Sequence, residues 1–328
     1  MKVVHETLLY IVYNLQHQNQ IITVDAIRHP LGWIQSTEFD LEVEITWLIE
    51  SGFLVKNSEN ELSLTEIGKN EASRINKIRS KDDFNRLISS AIDSPAYLDY
   101  CEEIYGYRMP LFNMMDKQQL DYVFNTIPVS KSNTVLDLGC GAGCILNHLV
   151  QKYECYGIGI DQLNQAAVEK CSKMISFIDG DMDNLSDYKL KPNITLAVDS
   201  LYFSNDLDGL VRLMKGIKYN RLYFFFSQYI FDESKKDETV LHRDNTRIAS
   251  ILQKNDLQYR VVDYSANENS LYENALKVLP KHKEAFVSEG KSDLYETKLK
   301  ENRSGKAMYD KGLASRYLYI VELQETQV

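Results

Sequence analysis

The stretch VLDLGCGAG, residues 135–143, decides the fold of this chain of 328 residues. Apolar residues and one aspartate lead into three glycines at alternate positions, and a segment of helical character, CILNHLV, follows at residues 144–150. A buried strand, a tight glycine turn and a helix form the start of a nucleotide-binding βαβ unit. Glycine is suited to such a turn because a side chain would hold the backbone away from a nucleotide.

Three further segments continue the pattern. YGIGID, residues 156–161, predicts a second buried strand that ends in an acid about 20 residues after the glycines, where a carboxylate can bind ribose hydroxyls. Residues 175–182 and 194–203 predict a third and a fourth strand, each followed by an acid. An alternative for Asp161 is a helix cap, since residues 162–174 have helical character. Strands that alternate with helices favour a parallel sheet.

The spacing G-x-G-x-G, led by Leu-Asp-Leu, resembles motif I of the class I S-adenosylmethionine (SAM) methyltransferases. Cys144 stands where the dinucleotide fingerprint has its last glycine. The resemblance implies an α/β fold with a Rossmann-like seven-stranded sheet and helices on both faces. It also implies SAM as the cofactor. A glycine turn of another α/β sheet, or a weak NAD site, is the alternative.

The resemblance also implies roles for individual residues. Asp181 would receive the adenine amino group and Met182 would lie against the ring, whereas the alternative for Asp181 is an ordinary loop acid. The cofactor-binding residues expected from the resemblance are Asp137, Gly139, Cys140, Gly141, Gly143, Asp161, Gln162, Asp181, Met182 and Asp199.

The predicted SAM-binding domain covers residues 129–328. Its later strands are expected at residues 221–227, 259–264 and 316–323. A helical insert at residues 271–311 would form part of a substrate wall or, equally, a solvated outer helix. The preceding residues 71–128 are helical and resemble the segment that folds over the cofactor in bacterial small-molecule methyltransferases. Contacts with methionine or substrate there could come from Tyr105, Asn113, Met114 and Gln119.

Residues 1–70 predict a separate domain that resembles a winged helix. Helices are expected at residues 3–15, 23–29 and 37–51, the second stopped by Pro30, before a hairpin at residues 53–64. The helix that would read DNA has no Lys or Arg, so repulsion from phosphates makes DNA binding unfavourable. We expect a possible homodimer through this domain, or a cap on the catalytic domain. The acids of that helix are Glu38, Asp40, Glu42, Glu44 and Glu50.

The net charge and the cysteine content limit which partners and which cellular compartment we expect. The formal net charge of −10 disfavours nucleic acid. Residues 1–20 do not match a secretory signal, and no apolar run reaches membrane-span length, so we expect a cytoplasmic protein that binds no membrane. Five cysteines, an odd number, agree with reduced thiols. Cys140 and Cys144 lack a second pair or a histidine at zinc spacing, so no metal site is expected.

The predicted reaction is methyl transfer from SAM to an N or O nucleophile of a small molecule. The acceptor should lie beyond the carboxyl ends of strands four and five. The expected catalytic residues there are His242, Tyr202 and Tyr229, with His242 as a base or, alternatively, a surface histidine. Residues that could surround or orient the acceptor are Asp199, Phe203, Ser227, Gln228, Tyr264, Asn267, Glu268 and Tyr272.

Two other functions stay open. The chain could be an enzyme that uses SAM without methyl transfer, by an intramolecular displacement that releases methylthioadenosine. It could also be a regulator that combines a winged helix with SAM sensing. The fourth strand is followed by DSLY, residues 199–202, which is not the Asn/Asp-Pro-Pro-Tyr/Phe sequence of nucleic-acid amino methyltransferases. A small-molecule acceptor is therefore favoured.

Overall fold

A computed structural model of the chain describes residues 1–17, 20–34, 39–161, 168–217, 220–231, 233 and 237–323. The chain forms two compact units. The first contains Met1–Phe84 and Tyr229–Thr239, and the second contains Asn85–Gln228 and Val240–Val328. Within the described ranges, no helix has both the length and the apolar character that a bilayer span requires.

The first unit begins with three helices and a two-stranded hairpin, in the predicted order. The elements are α1 (Val3–His17), α2 (Val24–Ile34), α3 (Leu41–Glu50), β1 (Leu54–Lys56) and β2 (Leu62–Leu64), and the two strands pair antiparallel. All five elements contribute apolar side chains to one core, including Leu8, Leu9, Ile27, Ile45, Leu48, Leu54 and Leu64. The winged-helix assignment and the homodimer stay predictions.

The prediction that the second helix stops at Pro30 is wrong. α2 continues through Pro30 to Ile34. Proline inside a helix removes one backbone donor and crowds the preceding turn, which weakens or kinks the helix. Ala26 and Ile27 are fully buried in the core of the unit. Because tertiary packing supplies most of the stability of a short helix, it outweighs this local cost.

The side chains of α3 that face outward are not those of a helix that reads DNA. Val43 is 60% and Trp47 is 38% exposed, so apolar surface faces outward. Glu44 points inward and accepts hydrogen bonds from Lys2 and from the buried His5, whose ring stacks on Trp47. The exclusion of nucleic acid stays a prediction, and the exposed apolar side chains agree with it.

The second unit contains a seven-stranded sheet. Its strands are β3 (Thr134–Leu138), β4 (Tyr156–Asp161), β5 (Ile175–Asp179), β6 (Ile194–Val198), β7 (Arg221–Tyr229, of which the last residue belongs to the first unit), β8 (Tyr259–Asp263) and β9 (Ala314–Glu322). They lie in the order β5-β4-β3-β6-β7-β9-β8. The strands β3 to β7 pair in parallel, whereas β8 and β9 pair antiparallel. The predicted Rossmann-like seven-stranded sheet is confirmed.

Further helices precede the strands of the sheet in the sequence and connect them. They are α4 (Glu66–Ala91), α5 (Pro95–Tyr105), α6 (Lys117–Thr126), α7 (Cys144–Tyr153), α8 (Leu207–Lys215), α9 (Arg247–Lys254), α10 (Ser265–Val278), α11 (Lys283–Ser288) and α12 (Ser292–Asp310). The helical segment between β8 and β9 begins at Ser265, six residues before the predicted start of the insert.

Alternate residues of the sheet enter different cores. Val135 packs in one apolar cluster with Leu146 of α7, whereas Leu136 packs in a second cluster with Leu210 of α8. Successive side chains of a strand point to opposite faces, so helices cover both faces. The loops that leave the carboxyl ends of the parallel strands are then the natural position for a ligand site.

Candidate active site

The glycine turn after β3 needs its glycines for two physical reasons. Gly139, Gly141 and Gly143 have φ angles of +71°, +55° and +73°, which residues with a side chain rarely adopt. A Cβ atom on Gly139 would lie 2.3 Å from the Cβ of Ser200, and one on Gly143 would lie 2.8 Å from the Phe177 ring. The turn is therefore closed by protein packing as well as by backbone conformation.

Asp161 lies directly against this turn. The Gly141 N–H donates to the Asp161 carboxylate at 2.7 Å, and the Gly139 N–H donates to the Ile160 carbonyl at 2.8 Å. The end of β4 is thus joined to the turn by two hydrogen bonds. The acid and the glycines, predicted as parts of one site, are neighbours. Gln162, the next predicted residue, lies outside the described residues.

Asp137, in the strand just before the turn, is an unusual carboxylate. It is 2% exposed, and its Oδ1 atom has no hydrogen-bond partner among the described residues. Burial, and then the charge of Asp161, raise the pKa of Asp137 to about 8. A buried acceptor without a partner is costly in a folded chain. It fits a donor group of a bound molecule beside the turn.

The predicted adenine-binding residues follow β5. Met182 is buried, and its methyl carbon lies 3.5 Å from the position of a Cβ on Gly139, so its side chain reaches the glycine turn. One oxygen of Asp181 accepts from the Asp183 N–H at 3.0 Å and caps the short helix Met182–Tyr188. The Cys140 thiol lies 2.7 Å from the position of a Cβ on Gly159, so it packs onto the sheet.

A buried ion pair lies beyond the carboxyl end of β6. Arg316 of β9 is 1% exposed and donates from Nη1 to Asp199 Oδ1 at 2.7 Å and from Nη2 to Asp199 Oδ2 at 2.8 Å. Two parallel bonds of this kind are the strongest arrangement of an arginine with a carboxylate. Asp199 has a φ angle of +52°, a conformation that costs free energy without glycine.

Glu268 of α10 completes this cluster. It is 1% exposed, accepts from Ser227 Oγ at 3.1 Å and from the Tyr309 hydroxyl, and lies 3.4 Å from Arg316 Nη1. Burial is the largest influence on its pKa, Arg316 opposes it and Asp199 adds to it, and the result is a pKa raised to about 7. Sequence reasoning named Glu268 only as a residue that could orient the acceptor.

Two further predicted residues belong to the same cluster. Gln119 of α6 is fully buried and accepts from Arg316 Nε at 3.1 Å. The Tyr202 hydroxyl accepts from the Ser227 N–H and lies 3.4 Å from Asp199 Oδ1. Elements that are distant in sequence therefore meet through Arg316. We define the acid–arginine cluster as Gln119, Asp199, Tyr202, Ser227, Glu268, Tyr309 and Arg316.

Other predicted residues are not brought into this cluster. His242 has a side chain that is 61% exposed, and its closest acid is Asp244, with Nδ1 and Oδ2 3.7 Å apart. Tyr229 belongs to the first unit, where its ring stacks on Phe231 and its carbonyl accepts from Gln20. Neither position favours the expected catalytic role. In the described part of the chain, no group of three His, Cys, Asp or Glu side chains could hold a metal ion.

The residues of the segment 71–128 that were expected to contact methionine or substrate lie in different surroundings. The Tyr105 hydroxyl, fully buried, lies 3.7 Å from the sulfur of Met114, which agrees with a role in the core. Asn113 has a buried Oδ1 atom without a partner in the described residues. Asn267 of α10, which was expected to orient the acceptor, donates to Gln118 of α6 at an exposed position.

Comparison with known proteins identifies the fold. The sequence model of the MetW family, described as methionine biosynthesis protein MetW, matches residues 117–196. Comparison with curated protein sequences gives no match. Two solved structures of phosphoethanolamine N-methyltransferase 2 from Haemonchus contortus match with a TM-score of 0.56 each and identities of 14% and 15%. One contains phosphomonomethylethanolamine and S-adenosylhomocysteine, and the other contains SAM.

The matches extend over most of the chain. They cover 74% and 73% of it, and the chain spans 60% of the length of each Haemonchus structure. The cyclopropane synthase MmaA2 from Mycobacterium tuberculosis matches with a TM-score of 0.52 and 10% identity, over 73% of this chain and 98% of that one. Together with the strand order, these similarities establish that the chain has the class I SAM-dependent methyltransferase fold.

Proposed function

We propose that this protein transfers the methyl group of SAM to an N or O nucleophile of a small molecule. The observation that carries the proposal is the contact of Asp161 with the glycine turn. A carboxylate held by the Gly141 N–H lies beside bare backbone, in a fold whose solved relatives contain SAM or S-adenosylhomocysteine. A nucleotide can approach this backbone, and the second carboxylate oxygen can accept from ribose.

The residues around the turn fit SAM. Asp161 would bind the ribose, Met182 would lie against adenine, and Asp181 would offer its remaining oxygen to the adenine amino group. The unpartnered Asp137 Oδ1 would accept a hydrogen bond from the cofactor. This atom is the strongest indication that SAM fits, because a hydrogen bond from the cofactor would offset the free-energy cost of burying an unpaired acceptor.

Bound SAM supplies a methyl group that its sulfonium already activates. The protein then has to hold the acceptor in line and exclude water. Where the acceptor must also lose a proton, the group suited to accept it is Glu268, which contacts Ser227 and Arg316 beyond the end of β6 and whose pKa is raised by burial to about 7. Glu268 replaces His242 in this role. Tyr202, which contacts Ser227 and Asp199, stays a candidate for orienting the acceptor.

Binding of SAM and S-adenosylhomocysteine by isothermal titration calorimetry tests the cofactor site. Asp161→Ala should weaken binding by about 1–3 kcal/mol, because charge-assisted hydrogen bonds to ribose are lost. Asp187→Ala is the matched control, since Asp187 is an exposed acid of the short helix after Asp181. Equal affinities of the wild type and Asp161→Ala would remove Asp161 from the site.

Product analysis tests the reaction itself. Incubation with SAM and a panel of small amines and alcohols should yield S-adenosylhomocysteine only when an acceptor is present. If methylthioadenosine forms from SAM alone, the reaction is an intramolecular displacement and not methyl transfer. Binding of SAM without turnover across the panel, combined with salt-dependent DNA binding, would instead favour a regulator.

A further inference from the structure

Arg247, the first residue of α9, has a largely buried side chain whose guanidinium includes one covered nitrogen without a hydrogen-bond partner among the described residues. The residue is 9% exposed, and its Nη1 atom is buried and unpaired within the described residues. Arginine carries five N–H donors and stays charged under all ordinary conditions. A buried charge without a partner is rare because its desolvation is not compensated.

The backbone that carries Arg247 is firmly held. Its own N–H donates to Gln228 Oε1 at 3.1 Å, close to the carboxyl end of β7. The preceding Thr246 caps α9 by accepting from the Ala249 N–H, and its hydroxyl is 2.7 Å from that of Tyr319. The origin of the side chain is therefore fixed, and only its torsions can move the guanidinium.

One acid lies within electrostatic reach but does not neutralise Arg247 by a hydrogen bond. Asp183 acts on the guanidinium through its charge, while its carboxylate accepts from Ser204 Oγ and from the Asn205 N–H. Burial is the larger effect and lowers the pKa of Arg247 to about 10, so the group is still protonated at neutral pH.

A second buried arginine of the same unit shows what a satisfied site looks like. Arg316 donates to Gln119, to both oxygens of Asp199 and to Ser227. These partners compensate its burial. Arg247 is less buried, at 9% against 1% exposed, and has none of these contacts. A structural role would require partners of this kind, and none of the described residues supplies one, which favours a partner from outside the chain.

The position of Arg247 indicates which molecule this partner belongs to. The backbone N–H of Arg247 is bonded to Gln228 at the end of β7, and its guanidinium feels the charge of Asp183, which follows β5 and is bonded to the loop after β6. The proposed cofactor residues lie mainly around the ends of β3 and β4. β7 lies two strands away from β3 in the sheet, on the side where an acceptor is expected.

We propose that Arg247 binds an anionic group, a carboxylate or a phosphate, of the methyl acceptor. This inference rests on the proposed methyl transfer and adds the chemical class of the substrate. The planar guanidinium can donate two parallel hydrogen bonds to either anion. Nη1 is covered, so the anion binds at the other N–H groups of the guanidinium or after rotation of the side chain.

The test uses inorganic phosphate and acetate as probes, with sodium chloride at equal ionic strength as the salt control. Arg247→Gln keeps the length of a polar side chain without the charge. Arg243→Gln is the matched control, because Arg243 is a nearby arginine with a side chain that is 58% exposed. Thermal unfolding midpoints of the full chain are measured over a titration of each anion.

Phosphate or acetate should stabilise the wild type and Arg243→Gln, and the apparent affinity should fall by about tenfold or more in Arg247→Gln. Without anion, Arg247→Gln should be at least as stable as the wild type, because an uncompensated charge has been removed. If both Arg247→Gln and Arg247→Met unfold at much lower temperature than the wild type, Arg247 is structural and the proposal is overturned. An unresponsive wild type also overturns it.

Titration with S-adenosylhomocysteine separates the acceptor from the cofactor. The affinity should be unchanged in Arg247→Gln. A tenfold loss would assign the anion to the cofactor's own carboxylate and overturn the proposal. If the wild type fails to bind S-adenosylhomocysteine at all, the proposed function fails, and this result is distinct from a missing response to phosphate.

Discussion

Arg316 and Asp199 form a buried ion pair with two parallel hydrogen bonds, although 117 residues separate them in the sequence. The pair joins β9 to the loop after β6. Glu268 and Ser227 contact the same guanidinium. The position of several polar groups at the candidate acceptor site therefore depends on one side chain.

Replacement of Arg316 by glutamine should lower the free energy of unfolding by about 3–5 kcal/mol, since the buried Glu268 and the partly buried Asp199 would both lose their cation. Urea denaturation measures this change. Arg212→Gln is the control, because Arg212 and Asp208 form an ion pair in which the arginine is 55% exposed, and its loss should stay within about 1 kcal/mol. Equal losses in the two variants would contradict a structural role of the buried pair.

Replacement of Gly143 by alanine tests the packing of the glycine turn. The left-handed backbone alone costs about 1–2 kcal/mol for alanine. The new methyl group would also lie 2.8 Å from the Phe177 ring. Gly290→Ala is a matched control because Gly290 has a φ angle of +69° and no atom near the added methyl group. Denaturation should show a larger loss for Gly143→Ala, and S-adenosylhomocysteine affinity should fall only in that variant.

Asp137 should make stability depend on pH. Its pKa rises from an ordinary 3.8 to about 8 on folding, so between these values the folded chain holds a proton that the unfolded chain releases. Stability from this group is therefore present at low pH and is lost as pH rises through the window. The wild type should lose several kcal/mol of unfolding free energy at most over these roughly four pH units. Asp137→Asn should remove this loss.

Glu268 acts in the same direction, which makes the comparison of variants necessary. Its pKa is raised from 4.5 to about 7. Urea denaturation of the wild type and of Asp137→Asn at about pH 5 and pH 8 isolates the contribution of Asp137, because Glu268 is present in both. A stability difference between the two proteins that is the same at both pH values would show that Asp137 does not titrate in this range.

The glycine turn and Asp161 could be predicted from the sequence because their spacing is local. A strand, a turn and a helix bring Gly141 and the end of the next strand together in every sheet of this type, and the hydrogen bond between them follows. The succession of strands along the chain could be predicted for the same reason. Pro30 shows where local rules fail. They predict that the second helix ends before this proline, but it continues to Ile34 because tertiary packing stabilises it.

The acid–arginine cluster could not be predicted in the same way. β9, with the sequence ASRYLYIVE, carries one arginine in an apolar strand, and this is the signal that a buried cation needs a partner. Nothing in its spacing indicates which acid is the partner. The sequence favours His242 as a base because it is the histidine of the loop and helix after the fifth strand, whereas the burial and neighbouring charges that raise the pKa of Glu268 depend on tertiary packing.

The insertion of β9 between β7 and β8 has a consequence for biosynthesis. As the chain leaves the ribosome, β7 is made more than eighty residues before the strand that covers its open edge. An uncovered apolar strand can pair with other chains, so the nascent protein is exposed to aggregation during that interval. Arg316 lies in this late strand, so its contacts with Asp199, Ser227 and Glu268 can form only after β9 has been made.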